Sequence, residues 1–204
     1  MKPCLILVTG LPASGKSGFS RYAGEKLGIP VLEKDHYKEI LFDTIGFGCR
    51  EEKLKLGVAA MELMYDQAQQ LLKMGMSVIL DNNFENSSLE GVKKLAADFD
   101  CRLITLRFED DIAAIHRRFV RRDRDPRRHR GHVLNTRYPE TEGREEYIPL
   151  SLEAFESKCR QRGMLDFYPG GQLILVRLDS FKNYSHENTL ARLLEAMNGS
   201  GENG

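Results

Sequence analysis

The feature that most constrains this chain is an octapeptide, Gly10-Leu-Pro-Ala-Ser-Gly-Lys-Ser17, set directly behind an apolar run from Cys4 to Thr9. It satisfies GxxxxGK[ST], a pattern that carries meaning only where a strand precedes it and a helix follows. Both conditions are met. Cys4 to Thr9 reads as a strand, and a helical pattern starts within the loop and runs to Leu27, where Gly28 can stop it in a left-handed conformation. Such a loop closes backbone N–H groups around a polyanion at a helix N-terminus, so it implies a polyphosphate site rather than a chance glycine-rich turn. The candidate nucleotide contacts are Gly10, Ala13, Ser14, Gly15, Lys16, Ser17 and Gly18. Lys16 is placed to reach the β and γ phosphates of ATP, and the Ser17 hydroxyl to ligate Mg²⁺.

The remainder alternates short apolar runs with longer helical patterns, as repeated βαβ units do. Further strands are expected at Pro30 to Glu33, Ser77 to Leu80, Cys101 to Phe108 and Leu173 to Leu178. A helix over 51–73 is marked by Leu54, Val58, Met61, Met64, Ala68 and Leu71 at steps of three or four. Ser87 and Glu90 suggest a capping box for the next helix. Ile112, Ile115 and Phe119 mark another that Pro126 should end, and further helices are expected from Leu152 and over 186–197. Five strands with helical crossovers imply an α/β fold around an open, mainly parallel sheet. The crossover after the second strand is about forty residues long, against the dozen or more that suffice. It has room for two helices that cover a substrate.

The chain has 204 residues, 41% hydrophobic and 29% charged, which suits one soluble globular domain and excludes a disordered or fibrous chain. The four cysteines show no CxxC pair and imply neither a disulfide framework nor a cysteine zinc site; the expected location is cytoplasmic. No apolar run reaches the length of a membrane span, and Cys4 to Val8 is short for a signal peptide. The tail NGSGENG, 198–204, has no apolar residue and is expected to be disordered.

Two carboxylates stand where strands end. Val78-Ile-Leu-Asp81 resembles a Walker B strand, and Asp81 is placed to hold Mg²⁺ through water. Asn82 and Asn83 follow it, where typical AAA-type ATPases carry a glutamate that activates water, so hydrolysis is disfavoured as the main task. The competing reading of Asp81 is a turn residue with local hydrogen bonds. Asp35 lies just past the second strand, at the edge where ligands bind in open α/β sheets, and can orient or deprotonate an attacking hydroxyl. Its competing reading is a helix N-cap. Lys34, His36 and Lys38 are candidate acceptor contacts, or solvated charges.

Net charge is zero, yet residues 116–130 hold eight arginines against two aspartates. Arg118 and Arg122, four residues apart, project from one helix face and suit a phosphate clamp, with Arg128 as a third candidate. Not all eight can touch one nucleotide, so some are solvated or meet an anionic acceptor. A nucleic-acid patch is the rival reading, weakened by overall neutrality and by the single interleaved aromatic, Phe119. His129 and His132 lack the companions of a metal site.

Together GlyLeuProAlaSerGlyLysSer, ValLeuGluLysAsp, ValIleLeuAspAsn and ArgHisArgGlyHis at 128–132 resemble the P-loop kinases of the AAA_33 or zeta-toxin-like group, which includes chloramphenicol phosphotransferase, the kinase domain of polynucleotide kinase and gluconate kinase relatives. The last segment is similar to an ArgHisProGlyHis lid element, with Arg130 in the proline position. The resemblance implies a three-layer P-loop NTPase fold, a five-stranded parallel sheet of order 2-3-1-4-5 and an arginine-rich lid. It implies one kinase domain over 1–197, with an acceptor-binding helical insertion at 36–75 and a lid region at 116–148. It also implies acceptor activation by Asp35, lid roles for Arg118 and Arg122, and adenine contacts near Asp179 and Ser180. The expected activity is transfer of the γ-phosphoryl group of ATP, with Mg²⁺, to a hydroxyl of a small molecule or a nucleic-acid end. The alternative is a non-catalytic or slowly hydrolysing ATP-binding switch or RNA-binding module.

Overall fold

A computed structural model describes residues 2–141, 143 and 145–199, with the side chain of Ser180 outside that description. The strands are β1 (Cys4–Gly10), β2 (Val31–Glu33), β3 (Val78–Asp81), β4 (Arg102–Glu109) and β5 (Gln172–Arg177). The helices are α1 (Lys16–Leu27), α2 (Lys34–Thr44), α3 (Arg50–Lys73), α4 (Leu89–Asp98), α5 (Ile112–Arg124), α6 (Arg130–Val133), α7 (Leu152–Gln161) and α8 (His186–Asn198). All strand pairs are parallel and the order is β2-β3-β1-β4-β5, as the resemblance implied.

The layering follows from β1. All seven of its residues are buried, because it lies centrally between β3 and β4 and is covered on both faces. Alternate side chains serve alternate cores. Cys4, Ile6 and Val8 pack with Phe19 and Ala23 of α1 and Leu193 of α8, while Leu5 and Leu7 pack with Met64, Ala68, Val92 and Leu95 of α3 and α4. Gly28 stops α1 in the left-handed region (φ 64°).

The long crossover holds α2 and α3. The expected stripe of α3 is correct only for its C-terminal half: Met61, Met64 and Ala68 are buried, whereas Leu54 and Val58 are 56% and 62% exposed. The N-terminal half turns Lys53 and Ala60 inward instead and packs Leu56 on a separate cluster of Phe42, Phe47 and Leu134. The expected Ser87–Glu90 capping box is also corrected. The box is formed by Glu85 and Ser88 around a single 3-10 turn, Asn86–Ser88, and α4 starts at Leu89.

After β4, α5 ends at Arg124, just before Pro126. The following segment is short of regular structure but firmly docked. Phe47 and Tyr138 exchange two backbone hydrogen bonds of 2.8 Å, and Lys53 donates to the carbonyls of His132 (2.9 Å) and Leu134. Asn198 ends α8 and Gly199 caps it; the rest of the expected tail lies outside the described residues. Among the described residues no helix is long and apolar enough to cross a membrane, and all four cysteines are free.

Candidate active site

The loop between β1 and α1 takes the shape a phosphate cradle needs. Gly10, Ala13 and Gly15 all have positive φ (142°, 66° and 88°), and Ser14 N–H donates to the Leu11 carbonyl at 3.1 Å. At Gly15 the left-handed backbone coincides with a close approach: a Cβ there would stand 2.9 Å from the Phe181 ring. Only glycine meets both demands without strain.

Lys16 begins α1 and is 7% exposed. Burial pulls its ammonium below the usual lysine range, and Asp81 and Asp35 partly restore it. Asp81, at the end of β3, is 4% exposed; burial raises its carboxyl, opposed by Lys16 and by a hydrogen bond from Ser17. Its Oδ2 has no hydrogen-bond partner, and neither has the buried Ser14 Oγ. Native structures seldom leave such atoms unsatisfied, so they point to a missing polar partner. A cavity of about 20 Å³ lies between Lys16, Ser17, Glu33, Asp35, Asp81, Asn82 and Asn83, room for one water or ion. Among the described residues no three His, Cys, Asp or Glu side chains form a metal cage. A hydroxyl and one carboxylate are what a Mg²⁺ site keeps when phosphates and waters supply its other ligands. Ser17 and Asp81 therefore fit the ion they were expected to hold.

Asp35 is not the N-cap of α2; that place is taken by Glu33, and Asp35 lies in the first helical turn. It lines a polar cleft of about 370 Å³ together with Lys16, Ser17, Arg21, Arg122 and Arg128. Partial burial alone would push its carboxyl up. His132, Arg128, Lys38 and Lys16 outweigh that and hold it well below the usual carboxylate range. Arg128 stands 3.6 Å from Asp35, 3.9 Å from Glu39 and 3.8 Å from Asp123, and its buried Nε has no hydrogen-bond acceptor.

The arginines divide by environment. Arg117, Arg121, Arg124 and Arg127 are exposed. Arg122 lines the cleft and bonds Asp123 at 2.9 Å. Arg118 points elsewhere: it donates to the Ala13 carbonyl (3.2 Å) and to Asp110 (2.8 Å), with its guanidinium 4.9 Å from the Phe181 ring centre. The one helix face predicted for Arg118 and Arg122 is thus split between the outer and inner sides of the loop. Arg130 forms a bidentate pair with Glu140 (2.9 and 2.6 Å) that braces the segment. His129 meets Asp43 (3.0 Å) and His132 meets Glu39 (2.8 Å), so both tie α6 to α2.

Three site residues escaped the sequence reading. Glu33 lines the small cavity and is gripped by Arg21 through two 2.7 Å hydrogen bonds. Phe181 covers Gly15 and Arg118 in the region where Asp179 and Ser180 were expected to meet adenine. Its only signal was an aromatic after the last strand.

A sheet of this order with the phosphate loop behind its central strand defines a P-loop kinase fold. Residues 5–136 match the AAA_33 model, described as an AAA domain, and the chain belongs to that family. No curated protein matches the sequence significantly. Among solved structures, a candidate kinase from Chloroflexus aurantiacus is 27% identical with a TM-score of 0.79, covering 96% of this chain and 99% of its own. An APS kinase from Mycobacterium tuberculosis is 15% identical (TM-score 0.57; 97% and 99% covered). A gluconokinase from Sinorhizobium meliloti is 15% identical (TM-score 0.51; 98% and 95% covered).

Proposed function

We propose that this protein is an ATP- and Mg²⁺-dependent phosphotransferase that moves a γ-phosphoryl group to a hydroxyl of a small molecule. The observation that carries the reading is the shared cleft: Asp35, Lys16, Arg122 and Arg128 line one space beside the phosphate loop. Phosphoryl transfer needs positioning and charge stabilisation more than covalent help. Lys16 and the loop N–H groups hold the phosphates. Ser17 and Asp81 would hold Mg²⁺, which when bound would offset the charge of the phosphates. Asp35, ionised at neutral pH, accepts a hydrogen bond from the acceptor hydroxyl and aligns its oxygen. Arg122 and Arg128 donate to charge developing on the transferred group. The APS kinase neighbour was solved with AMPPNP and APS, which supports a triphosphate beside an acceptor in this fold. Four of the eight arginines are engaged inward, which favours a small acceptor over a nucleic-acid end.

The test is transfer of γ-labelled phosphate from ATP into a metabolite extract and, separately, into 5′-hydroxyl oligonucleotides. Label in the metabolites, absent with Lys16→Ala, is expected. Label confined to oligonucleotides would replace the acceptor, and ATP binding undiminished in Lys16→Ala would overturn the loop assignment.

A further inference from the structure

We propose, resting on the phosphotransferase reading, that the hydroxyl acceptor carries a phosphate monoester, seated on Lys34, Lys38, Lys158 and Arg162 between the start of α2 and the end of α7. The topology brings these four cations together. The β2–β3 register pairs Glu33 with Asp81, so the first turns of α2 stand beside the chain that leaves β3. The end of α7 is tied to the same chain: Asn86 N–H donates to the Arg162 carbonyl at 2.9 Å, and the Arg162 guanidinium pairs with Glu85. Lys34 and Lys38 are one turn apart on α2, and Lys158 and Arg162 are one turn apart at the end of α7, so each pair shares a helix face. Lys38 Nζ lies 5.4 Å from the centre of the Phe42 ring.

The charges of this cluster do not balance. Arg162 has Glu85, but Lys34, Lys38 and Lys158 have neither a hydrogen bond nor an ion pair among the described residues. Asp35, the next carboxylate, is shared: it offsets Lys34 and Lys38 and also faces Arg128 and Lys16. Lys34 and Lys38 are half-buried, so water does not fully replace the missing counter-charge. Burial first pulls both ammoniums down, Lys34 to about 8; Lys38 adds to this at Lys34, whereas at Lys38 Asp35 opposes it before Arg162 and Arg128 add to it. Four cations against Glu85 and a shared Asp35 leave room for a dianion. A neutral polyol would strand the ammoniums, and a single carboxylate would cover only part of the excess. Compact ammoniums beside a planar guanidinium fork suit the three oxygens of a phosphate monoester. Its hydroxyl end then points toward Asp35, three residues before Lys38.

The probes are inorganic phosphate and glycerol 3-phosphate, with glycerol as the neutral control, titrated calorimetrically into the full chain. Saturating Mg²⁺ and a non-hydrolysable ATP analogue keep the phosphate loop filled. Both anions are expected to bind one to one and glycerol not at all. Lys34→Gln and Lys158→Gln should each weaken the anions by about ten-fold or more, while Lys94→Gln, an exposed change on α4, should not. Anion affinity unchanged by Lys34→Gln and Lys158→Gln, no anion binding in the millimolar range, or faster transfer to neutral polyols than to their monophosphates would each overturn the inference. Failure of the phosphotransferase reading shows separately, as loss of binding of the ATP analogue in the unaltered protein.

Discussion

Replacing Gly131 by alanine tests how the arginine segment is held against α2. Gly131 lies in α6 and is buried, and a Cβ there would sit 2.3 Å from Phe42 Cδ2 and 2.8 Å from Cγ. Phe42 cannot retreat: it is fully buried, with ring centres of Phe47, His132 and His129 at 5.2, 5.7 and 5.8 Å. The helix must therefore shift, and overpacking of this kind costs about 1–3 kcal/mol. For a chain of this length each kcal/mol lowers Tm by roughly 2–4 °C, so a fall of about 2–12 °C is expected. The chain has no tryptophan, so far-UV circular dichroism is the suitable probe. Phe42→Ala should by itself cost about 3–5 kcal/mol through the cavity it opens. In that background the new methyl has space, and Gly131→Ala should cost little. The double-mutant cycle then shows coupling of about 1–3 kcal/mol. An equal cost in both backgrounds, or none in either, would refute the claim that α6 is seated by contact with this ring.

Two further outcomes follow from the site. Gly15→Ala should abolish binding of an ATP analogue by equilibrium titration while leaving the melting transition nearly intact, because it strains the loop against Phe181 rather than the core; retained affinity would contradict the cradle. Lys53 is buried and its ammonium is lowered to about 7, first by burial and then by neighbouring cations. The unfolded chain keeps that proton above pH 7 when the folded chain gives it up, so this group makes stability rise with pH up to its ordinary titration range, by at most about 1.4 kcal/mol per pH unit. The gap in unfolding free energy between the wild type and Lys53→Met should therefore move in favour of the wild type by about 2–3 kcal/mol from pH 7 to pH 9. A gap that does not change with pH would contradict a desolvated Lys53.

What the sequence made legible is local. The octapeptide needs only its flanking strand and helix, and Asp81 and Asp35 were placed because strands in this topology end at one edge. The remainder depends on which distant segments meet. The sequence pattern pointed to a Ser87–Glu90 box, whereas the box that forms is Glu85 with Ser88, accompanied by docking of Asn86 on the Arg162 carbonyl. Leu54 and Val58 fit a helical stripe, but the N-terminal half of α3 packs on the Phe42 cluster, which turns Lys53 and Leu56 inward. Arg118 and Arg122 share a helix face in any projection. Only the position of the Ala13 carbonyl and Phe181 separates them. Glu33 looked like a strand end until Arg21, twelve residues back, was seen to grip it.

The measurement that bears most directly on the account is product stoichiometry from ATP in the presence of a phosphomonoester acceptor pool, comparing wild type with Asp35→Asn. Each ADP formed should be matched by one phosphorylated acceptor, with little free phosphate. Asp35→Asn should slow that transfer by about 10²–10⁴-fold while ATP affinity holds. ADP matched by free phosphate, with no labelled acceptor and no effect of Asp35→Asn, would contradict phosphotransfer and return the protein to the class of nucleotide-dependent switches.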